Sequence, residues 1–413
     1  MRTSAVGGRR RRRAVVLPLV AALAAVGLTA CNSSGDATAT TVVPPPPGCD
    51  TGRVTVVGAS LDLTGRGAAV GRQELTGLEL GIAKVNRAGG VWPHNSCLEL
   101  MYKDNRGTPA VDTQAMEDLV NAEKATVVVG NFLGSATRSY LGTLGVPAIS
   151  LSNLGAVSVP RRYPNTFPMT ASMASQAFVM AKFLQKEKVS TVGLVVTDDA
   201  ASRQGAAHLV GVSSTHGFAV VARAGVAPDG TGAGSALSRL RAAHPQVVVV
   251  MDDAGAAGAV LAARRRMRWA VPVVAGPDVT EEPVLSRAGG ATALGGVSAV
   301  VPVGAVRGSG PAAAPALHFR SALLARLGTG TLPGSIIPYA EAYDAMTMMG
   351  NAVNGAKGDS ATDVTSFLQN ANYQGVLADY TYTTGAHTGV DAANQMVEPV
   401  SGLSDGLLGH HPT

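Results

Sequence analysis

Short apolar runs alternate with amphipathic segments along most of this chain, and the first such unit is the clearest. Residues 54–59 form an apolar run, a Gly-rich loop follows at 63–71, and the next stretch carries apolar residues at helical spacing. That stretch stops at Gly89 and Gly90, and glycine suits a helix end because it adopts the left-handed conformation without a Cβ penalty. A second apolar run follows at 98–102. This order predicts strand, loop, helix and strand, the first step of a doubly wound parallel sheet.

The same alternation continues far along the chain. A change of character around Pro164 and Pro168 separates a second series from the first, and the pattern after residue 303 is mostly helical. The sequence therefore predicts an α/β fold with two doubly wound parallel-sheet lobes joined by a multi-strand hinge. Ligands of such sheets bind beyond the carboxyl ends of the strands, so a cleft between the lobes is the expected site. Further strands are predicted at 126–130, 146–150, 191–196, 218–222, 247–251, 271–275 and 378–383.

The predicted domain organisation follows from these changes of pattern. Each lobe is expected to combine an early segment with a later return of the chain. The predicted parts are a signal peptide with a lipobox at 1–30, a lipidated Cys and Ser/Thr/Pro linker at 31–48, an N-terminal lobe of 49–168 plus 300–376, a C-terminal lobe of 169–299 plus 377–399, and a loose tail at 400–413.

Positive charge is concentrated at the start of the chain. The formal net charge is +5, but Arg2 and the five arginines at 9–13 put six positive charges in the first 30 residues, which hold no Asp or Glu. The remainder therefore has a net charge of −1, and no nucleic-acid partner is expected. The arginine run followed by the apolar stretch at 14–26 is typical of a secretory signal, and both the general secretory and the twin-arginine routes stay open.

The residues that follow the signal predict a membrane tether. The segment from Leu28 to Cys31 resembles a bacterial lipobox, in which Cys31 carries the lipid and becomes the mature N-terminus. Residues 32–48 are rich in Ser, Thr and Ala and close with four prolines, which predicts a flexible spacer ending in a stiff segment. The protein is therefore expected to be extracytoplasmic and lipid-anchored to the outer face of the cell membrane. A plain signal peptide with an incidental cysteine is the alternative.

Two further cysteines lie just upstream of the first two predicted strands. Cys49 and Cys97 fall at the same edge of the sheet if those strands are parallel neighbours. An exported protein meets an oxidising environment, so a disulfide between them is expected. Two free thiols are the alternative.

Motifs of enzymes are weak in this sequence. Gly65, Gly67 and Gly71 follow a strand, but their spacing does not match the dinucleotide-binding fingerprint. The sequence has no Walker motif, no Gly-x-Ser-x-Gly motif and no pair of histidines at helical spacing. We therefore expect a protein that is not an enzyme and that needs neither a cofactor nor a metal ion.

Several motifs occur in an order that resembles one known family. They are Leu63-Thr64-Gly65, Gly71, Gly77, residues 86–91, Lys103-Asp104-Asn105 with Pro109, residues 128–130 and Tyr343-Asp344-Ala345. Over residues 53–382 the chain is similar to the branched-chain amino-acid (Leu/Ile/Val) type of ABC-transporter substrate-binding protein, which has the type I periplasmic-binding-protein fold. The resemblance implies a tethered receptor that captures a small solute and delivers it to an ABC permease, with no chemistry of its own.

The resemblance also implies the binding residues. In that family, the loops after the third and fourth strands hold a ligand carboxylate, and an acid of the second lobe pairs with the ligand ammonium. Asp278 matches the position of that acid, with capping of the following turn as the alternative role. Gln204 stands where the family often has a tyrosine. The loop residues that match are Gly134, Ser135, Ser150, Ser152 and Asn153.

The sequence departs from the family pattern in its aromatic residues. Ala69 and Val70 stand where the family usually has an aromatic side chain in the first loop, and aromatic walls are what hold a Leu-like ligand. We therefore expect an amino acid or a related small polar solute, and Asp198, Asp199, Asp252 and Arg203 suit a more polar or larger one. A monomer is expected. The alternatives are a ligand-sensing lipoprotein that signals to a membrane receptor, and an enzyme such as a reductase.

Overall fold

Two six-stranded sheets organise the protein. The computed structural model describes residues 39–410, apart from 46–47, 94, 144, 153–158, 253–254 and 309–312. The predicted signal peptide and Cys31, and also Asn153, lie outside the described residues. The strands are β1 Thr41–Val43, β2 Asp50–Leu61, β3 Ser96–Asp104, β4 Val127–Gly130, β5 Ala148–Ser150, β6 Thr166–Pro168, β7 Thr191–Thr197, β8 Ala219–Val226, β9 Val247–Met251, β10 Val273–Ala275, β11 Val297–Pro302, β12 Val306–Arg307, β13 Asn372–Gln374, β14 Asp379–Thr383, β15 Ala386–Val390, β16 Gln395–Pro399 and β17 Leu408–Gly409.

Eleven α-helices are present among the described residues, and most of them connect consecutive strands. Short 3₁₀ turns supplement them, including Pro277–Thr280 directly after β10. The helices are α1 Ala68–Arg87, α2 Pro109–Asn121, α3 Gly134–Leu141, α4 Met173–Lys186, α5 Ala200–Val212, α6 Ala233–Ala242, α7 Ala257–Arg266, α8 Glu282–Ala288, α9 Ala313–Leu327, α10 Ile337–Ala356 and α11 Ala361–Leu368.

The order of the strands confirms the predicted fold class. The first sheet has the order β1-β3-β2-β4-β5-β6, and the second has the order β16-β11-β10-β9-β7-β8. Both sheets are parallel except at one edge, where β1 pairs antiparallel with β3 and β16 pairs antiparallel with β11. The connecting helices cover both faces of each sheet, which is the arrangement that parallel sheets require.

Helices on both faces explain why the central strands are continuously apolar. Val127 and Val129 of β4 pack in the cluster beneath α1 and α10, whereas Val128 between them packs against α2 and α3. The side chains of β9 likewise alternate between two apolar clusters, and Val248 and Val250 pack in one of them. Successive side chains of a strand point to opposite faces, so a strand that is covered twice must be apolar at every position.

Helix α10 is shared by the two halves of the molecule. Its beginning, including Ile337 and Ala340, packs in the main apolar cluster of the second sheet. From Ala342 onward, it packs in the main cluster of the first sheet. It lies against α1, where an added Cβ at Gly77 would come within 2.1 Å of the backbone oxygen of Tyr339. Residues of α10 near position 341 therefore lie where the two halves meet.

Two predicted segments pack differently from expectation. Residues 377–399 were predicted to belong to the second lobe. Tyr380, Tyr382 and Val390 pack in the cluster of the first sheet, whereas Leu377 packs in that of the second and β16 pairs with β11. The tail after residue 400 was predicted to be loose. Instead, β17 pairs with β12, and Leu408 is fully buried. The tail is rich in glycine, yet its side chains Leu407 and Leu408 pack in the apolar cluster of the second sheet.

The disulfide prediction is confirmed. Strands β2 and β3 are parallel neighbours, with Val54 opposite Cys97. Cys49 and Cys97 are bonded with an S–S distance of 2.06 Å and a Cα–Cα distance of 5.2 Å. The bond ties the start of β2 to the start of β3.

Candidate ligand-binding site

The Gly-rich loop after β2 is occupied by a side chain of its own protein. The carboxylate of Asp62 accepts hydrogen bonds from the backbone N–H groups of Gly65, at 2.6 Å, and of Gly67, at 2.7 Å. Added Cβ atoms would come within 2.2 Å of backbone at Gly65 and 2.0 Å at Gly71, so both positions need glycine. Because Asp62 already uses these donors, the loop is a closed turn rather than a phosphate cradle.

The loops after β4 and β5 lie side by side, as the strand order requires. Ser150 is buried and donates its hydroxyl to the backbone oxygen of Ser152 at 2.9 Å. Ser152 in turn donates its hydroxyl to the backbone oxygen of Asn131 at 2.6 Å. The structure therefore brings the two predicted serines together. Both hydroxyl protons are already used within the loops, so in this arrangement the hydroxyls cannot donate to a ligand.

The other predicted residues of the first lobe belong to a helix. Gly134, with φ +80°, and Ser135 form the first turn of α3. An added Cβ at Gly134 would come within 2.6 Å of Pro109 Cβ, which explains the need for glycine. Ser135 is exposed. These two residues therefore contribute a helix N-terminus rather than a loop.

A buried carboxylate that the sequence analysis missed lies beside these loops. Glu74 of α1 is only 3% exposed, and Asn131 Nδ2 donates to its Oε2 at 3.2 Å. Burial raises the pKa of Glu74 to about 7; the Asn131 hydrogen bond opposes this rise, and the charge of Asp62 adds to it. Glu74 occurs within a helical pattern in the sequence, where acidic side chains are ordinarily solvated. No feature of the sequence therefore indicated that this one is buried.

Asp278 lies directly after β10, in the turn Pro277–Thr280. The N-cap position of this turn is Gly276, which has no side chain, and the Asp278 carboxylate accepts a hydrogen bond from its own backbone N–H. Burial, followed by the charges of Asp252 and Asp199, raises the pKa of Asp278 to about 7. Asp278 therefore faces other acids of the second lobe across a sheltered space.

Three oxygen atoms converge beside Asp278, at the place where Gly276 has no side chain. An added Cβ at Gly276 would lie 3.0 Å from Gln176 Oε1, 3.9 Å from Asp278 Oδ1 and 4.0 Å from the backbone oxygen of Asp252. Gln176 is 5% exposed, and its Nε2 donates to the backbone oxygen of Ala171. Its Oε1 has no hydrogen-bond partner among the described residues. We call this space the oxygen cradle.

Two further carboxylates face the same region. The segment before α10 touches the turn after β10, because the Ser335 N–H donates to the backbone oxygen of Thr280 at 2.9 Å. Glu281 is the next residue along that turn. Burial raises its pKa well above the ordinary value, and the charges of Asp278, Glu74 and then Asp252 add to the rise. Glu281 was not singled out by the sequence analysis, although it lies three residues from Asp278.

Glu341 lies on α10, at the point where that helix passes between the two sheets. Burial raises its pKa well above the ordinary value, and the charges of Glu74 and then Glu281 make the next largest contributions. Like-charge neighbours disfavour ionisation in this way only when they are close and poorly screened. Glu74 on α1, Glu281 just before α8 and Glu341 on α10 therefore lie close enough to influence one another's ionisation.

The remaining predicted residues have other partners. Asp199 caps α5, accepting from the Ser202 N–H at 2.7 Å, and Asp252 accepts from Thr197 Oγ1 at 2.9 Å. Asp198 forms a surface ion pair with Arg203. Gln204 is exposed on α5. Asp199 and Asp252 are therefore held by structural hydrogen bonds, and Asp198 lies at the surface.

The sequence of this protein is similar to that of a known family. The sequence profile of the periplasmic binding proteins matches residues 55–398. The chain belongs to the periplasmic binding protein family. No curated protein gave a significant match.

Solved structures of this family share the fold of the chain at low sequence identity. A type 1 periplasmic binding protein from Bordetella pertussis has a TM-score of 0.72 at 21% identity, covering 83% of this chain and 96% of its own. The branched-chain amino acid substrate-binding protein LivJ from Streptococcus pneumoniae, in complex with isoleucine, has a TM-score of 0.66 at 20% identity, covering 81% and 97%. An ABC-transporter solute-binding protein from Rhodopseudomonas palustris, in complex with benzoate, has a TM-score of 0.72 at 19% identity, covering 86% and 96%. At these identities, the likeness concerns the two-lobed type I fold.

As in other periplasmic binding proteins, the two lobes of this family member approach each other beyond the strand ends. Arg66, in the loop after β2, donates from Nη2 to the backbone oxygen of Pro228, after β8, at 2.8 Å. A cavity of about 440 Å³ lies near this contact, at the ends of β7 and β8, and its lining includes Arg203 and Arg223. In the part of the chain described, no helix is both long and apolar enough to cross a membrane.

Aromatic side chains of this periplasmic binding protein serve mainly for packing. The ring of Tyr343 lies 4.7 Å from that of Phe319, and Lys84 stands over it at 5.3 Å. Tyr339 is 8% exposed, and its hydroxyl is hydrogen-bonded to the side chain of Gln73. The polar groups that meet between the lobes are thus dominated by carboxylate and amide oxygens.

Proposed function

We propose that this protein is an extracytoplasmic receptor that binds an amino acid or a related small polar solute between its two lobes and delivers it to an ABC permease. The family is a class of solute-binding receptors, which supports binding without catalysis. The oxygen cradle carries the proposal. Gln176 Oε1, Asp278 Oδ1 and the backbone oxygen of Asp252 all accept hydrogen bonds, and an ammonium group can donate three.

Because the oxygen cradle is sheltered from water, its acceptor oxygens raise the free energy of the protein when no ligand is bound. A buried acceptor that lacks a donor loses about 1–3 kcal/mol relative to its solvated state. A ligand ammonium would supply a donor to Gln176 and a positive charge to Asp278. Because the solute would also touch Glu74 and the loops of the first lobe, it would bind the closed arrangement better than an open one. Binding would then shift the population toward the closed form, which the permease would recognise.

The same proposal covers the parts of the chain outside the described residues. Cys31 would carry the lipid, the segment between Cys31 and β1 would form the spacer, and the receptor would act as a monomer near the membrane. Residues 41–43, which the sequence assigned to the linker, instead form β1 at the edge of the first sheet. The lobes would comprise the first sheet with 342–390 and the second sheet with 313–340 and 395–409. A Cys31→Ala variant that still partitions with membranes would show that this lipid is not the tether.

The test begins with a thermal-shift screen of amino acids, amides, polyamines and aromatic acids, because a ligand raises the melting temperature by mass action. For the best ligand, calorimetry would then compare the wild type with Asp278→Asn and Gly276→Ala. The first variant removes the charge, and the second fills the oxygen cradle with a methyl group. We expect each to weaken binding about tenfold or more.

Glu282→Gln is the matched control, since it removes a neighbouring charge outside the cradle. It should bind the ligand like the wild type. If Asp278→Asn and Gly276→Ala also bind like the wild type, the ligand does not use the oxygen cradle. If no solute of the four classes shifts the melting temperature, the receptor proposal itself fails.

A further inference from the structure

The space between the lobes holds more carboxylates than one ammonium group needs. Besides Asp278, the side chains of Glu74, Glu281 and Glu341 converge there from three different elements. Among the described residues, no Lys, Arg or His forms an ion pair with any of these four. We call Glu74, Glu281 and Glu341 the glutamate cluster.

The positions of the glutamate cluster follow from backbone contacts. Glu74 lies one turn before Gly77, where α1 touches α10 most closely. Glu341 lies between Ala340, which packs with the second sheet, and Ala342, which packs with the first. Glu281 follows Thr280, whose backbone oxygen is bonded to the segment just before α10.

An unpartnered amide oxygen marks the same place independently. Gln73 is 9% exposed and lies one turn before Gly77, on the face of α1 that meets α10. Its side chain is hydrogen-bonded to Tyr339, two residues before Glu341. Its Oε1 nevertheless has no hydrogen-bond partner among the described residues. A buried acceptor without a donor beside a group of carboxylates calls for a ligand that brings donors and positive charge.

We propose that the solute of this receptor carries two cationic groups, one in the oxygen cradle and a second, an amine or guanidinium group, in the glutamate cluster. The second group distinguishes a basic amino acid or a diamine from a Leu-like or benzoate-like ligand. This inference rests on the proposed receptor function. Asp278 lies in the turn that Glu281 follows directly, and that turn is hydrogen-bonded to the segment just before α10, so the two subsites lie within reach of one short molecule.

The raised pKa values add a pH dependence to this proposal. Part of the glutamate cluster holds protons near pH 7 when no ligand is bound, so a dication would displace protons on binding. Its affinity should therefore rise between pH 6 and pH 8, whereas an anion should bind less tightly over the same interval. The other charged or titratable groups that face these carboxylates are Asp62, Asp199, Asp252, Asp344, Tyr380 and, through Asp344, Lys84.

The decisive experiment uses pairs of probes that differ only in the second charge. Calorimetry on the purified full chain at pH 8 would compare L-arginine with L-citrulline, L-lysine with L-norleucine, and 1,4-diaminobutane with butylamine. We expect the dicationic member of at least one pair to bind at least about tenfold more tightly than its partner, as charge-assisted hydrogen bonds require. Equal affinities within all three pairs would overturn the inference. Binding of no probe would also overturn the inference, whereas the receptor proposal is decided separately by the thermal-shift screen of all four solute classes.

Substitutions in the glutamate cluster then test whether the second cationic group of the ligand binds there. Glu341→Gln and Glu281→Gln should reduce the preference for the dicationic probe about tenfold, while the affinity for its neutral partner changes little. Glu282→Gln should leave the preference unchanged. Gln keeps the shape of Glu and removes a like charge from two half-buried positions, and so loss of folding is not expected; thermal melts of each variant check this. A preference that survives in both variants, or an equal loss for both members of a pair, would contradict the assignment.

Discussion

Replacing the buried carboxylate of Glu74 gives the most direct test of the electrostatics of this protein. The pKa of Glu74 is raised from 4.5 to about 7, chiefly by burial. One pKa unit corresponds to about 1.4 kcal/mol, so ionising this group in the folded protein costs about 3 kcal/mol. Glu74→Gln removes the ionisation and keeps an oxygen that accepts the hydrogen bond from Asn131.

The sign of the effect follows from where the proton binds more tightly. The folded protein holds the Glu74 proton more tightly than the unfolded chain does, so its contribution to stability is fully present below about pH 4.5. That contribution is lost as the pH rises through about 7. We therefore expect the free energy of unfolding of Glu74→Gln to match the wild type near pH 5 and to exceed it by up to about 3 kcal/mol at pH 8.

Urea denaturation of ligand-free protein, followed by far-UV circular dichroism at pH 5, 6, 7 and 8, would measure the difference. Asp278, Glu281 and Glu341 also titrate in the wild type, and so the difference between the two proteins is the informative quantity. Glu79→Gln is the control, because Glu79 lies on the same helix but pairs with Arg326 on the surface at 2.7 Å. It should lose at most about 1 kcal/mol. Parallel pH profiles for wild type and Glu74→Gln would refute the reasoning.

Three other predictions concern packing and cross-linking. Gly77→Ala should destabilise the protein by about 1–3 kcal/mol or more in urea titrations, because its Cβ would come within 2.1 Å of the Tyr339 backbone oxygen. Gly211→Ala, in a helix with open space around it, should instead stabilise the protein by up to about 1 kcal/mol. Cys49→Ser should lower the free energy of unfolding by about 4 kcal/mol, since the disulfide spans 48 positions, and added reductant should then change only the wild type. Leu408→Ala should cost about 2–5 kcal/mol; a cost below about 0.5 kcal/mol would mean that the tail is loose after all.

The sequence by itself determined the fold and one covalent bond. Alternating apolar runs and helical patterns are local properties, and a parallel sheet leaves few ways to arrange them. The disulfide followed because the positions of Cys49 and Cys97 relative to two strands settle which edge of the sheet they occupy. Asp278 was singled out from the sequence by resemblance, because it matches the family's position for an acid, and it directly follows a strand of the second sheet.

Only the tertiary structure decided which charged groups share the space between the lobes. Glu74, Glu281 and Glu341 are far apart in sequence and carry no motif, and what distinguishes them is burial next to like charges. Burial depends on α10 crossing from one sheet to the other, which no local pattern specifies. For the same reason the serines expected to bind a ligand turned out to be bonded to the loops themselves, and the Gly-rich tail turned out to be buried. Local periodicity fixes which elements form, whereas the contacts among distant elements fix the electrostatics of the site.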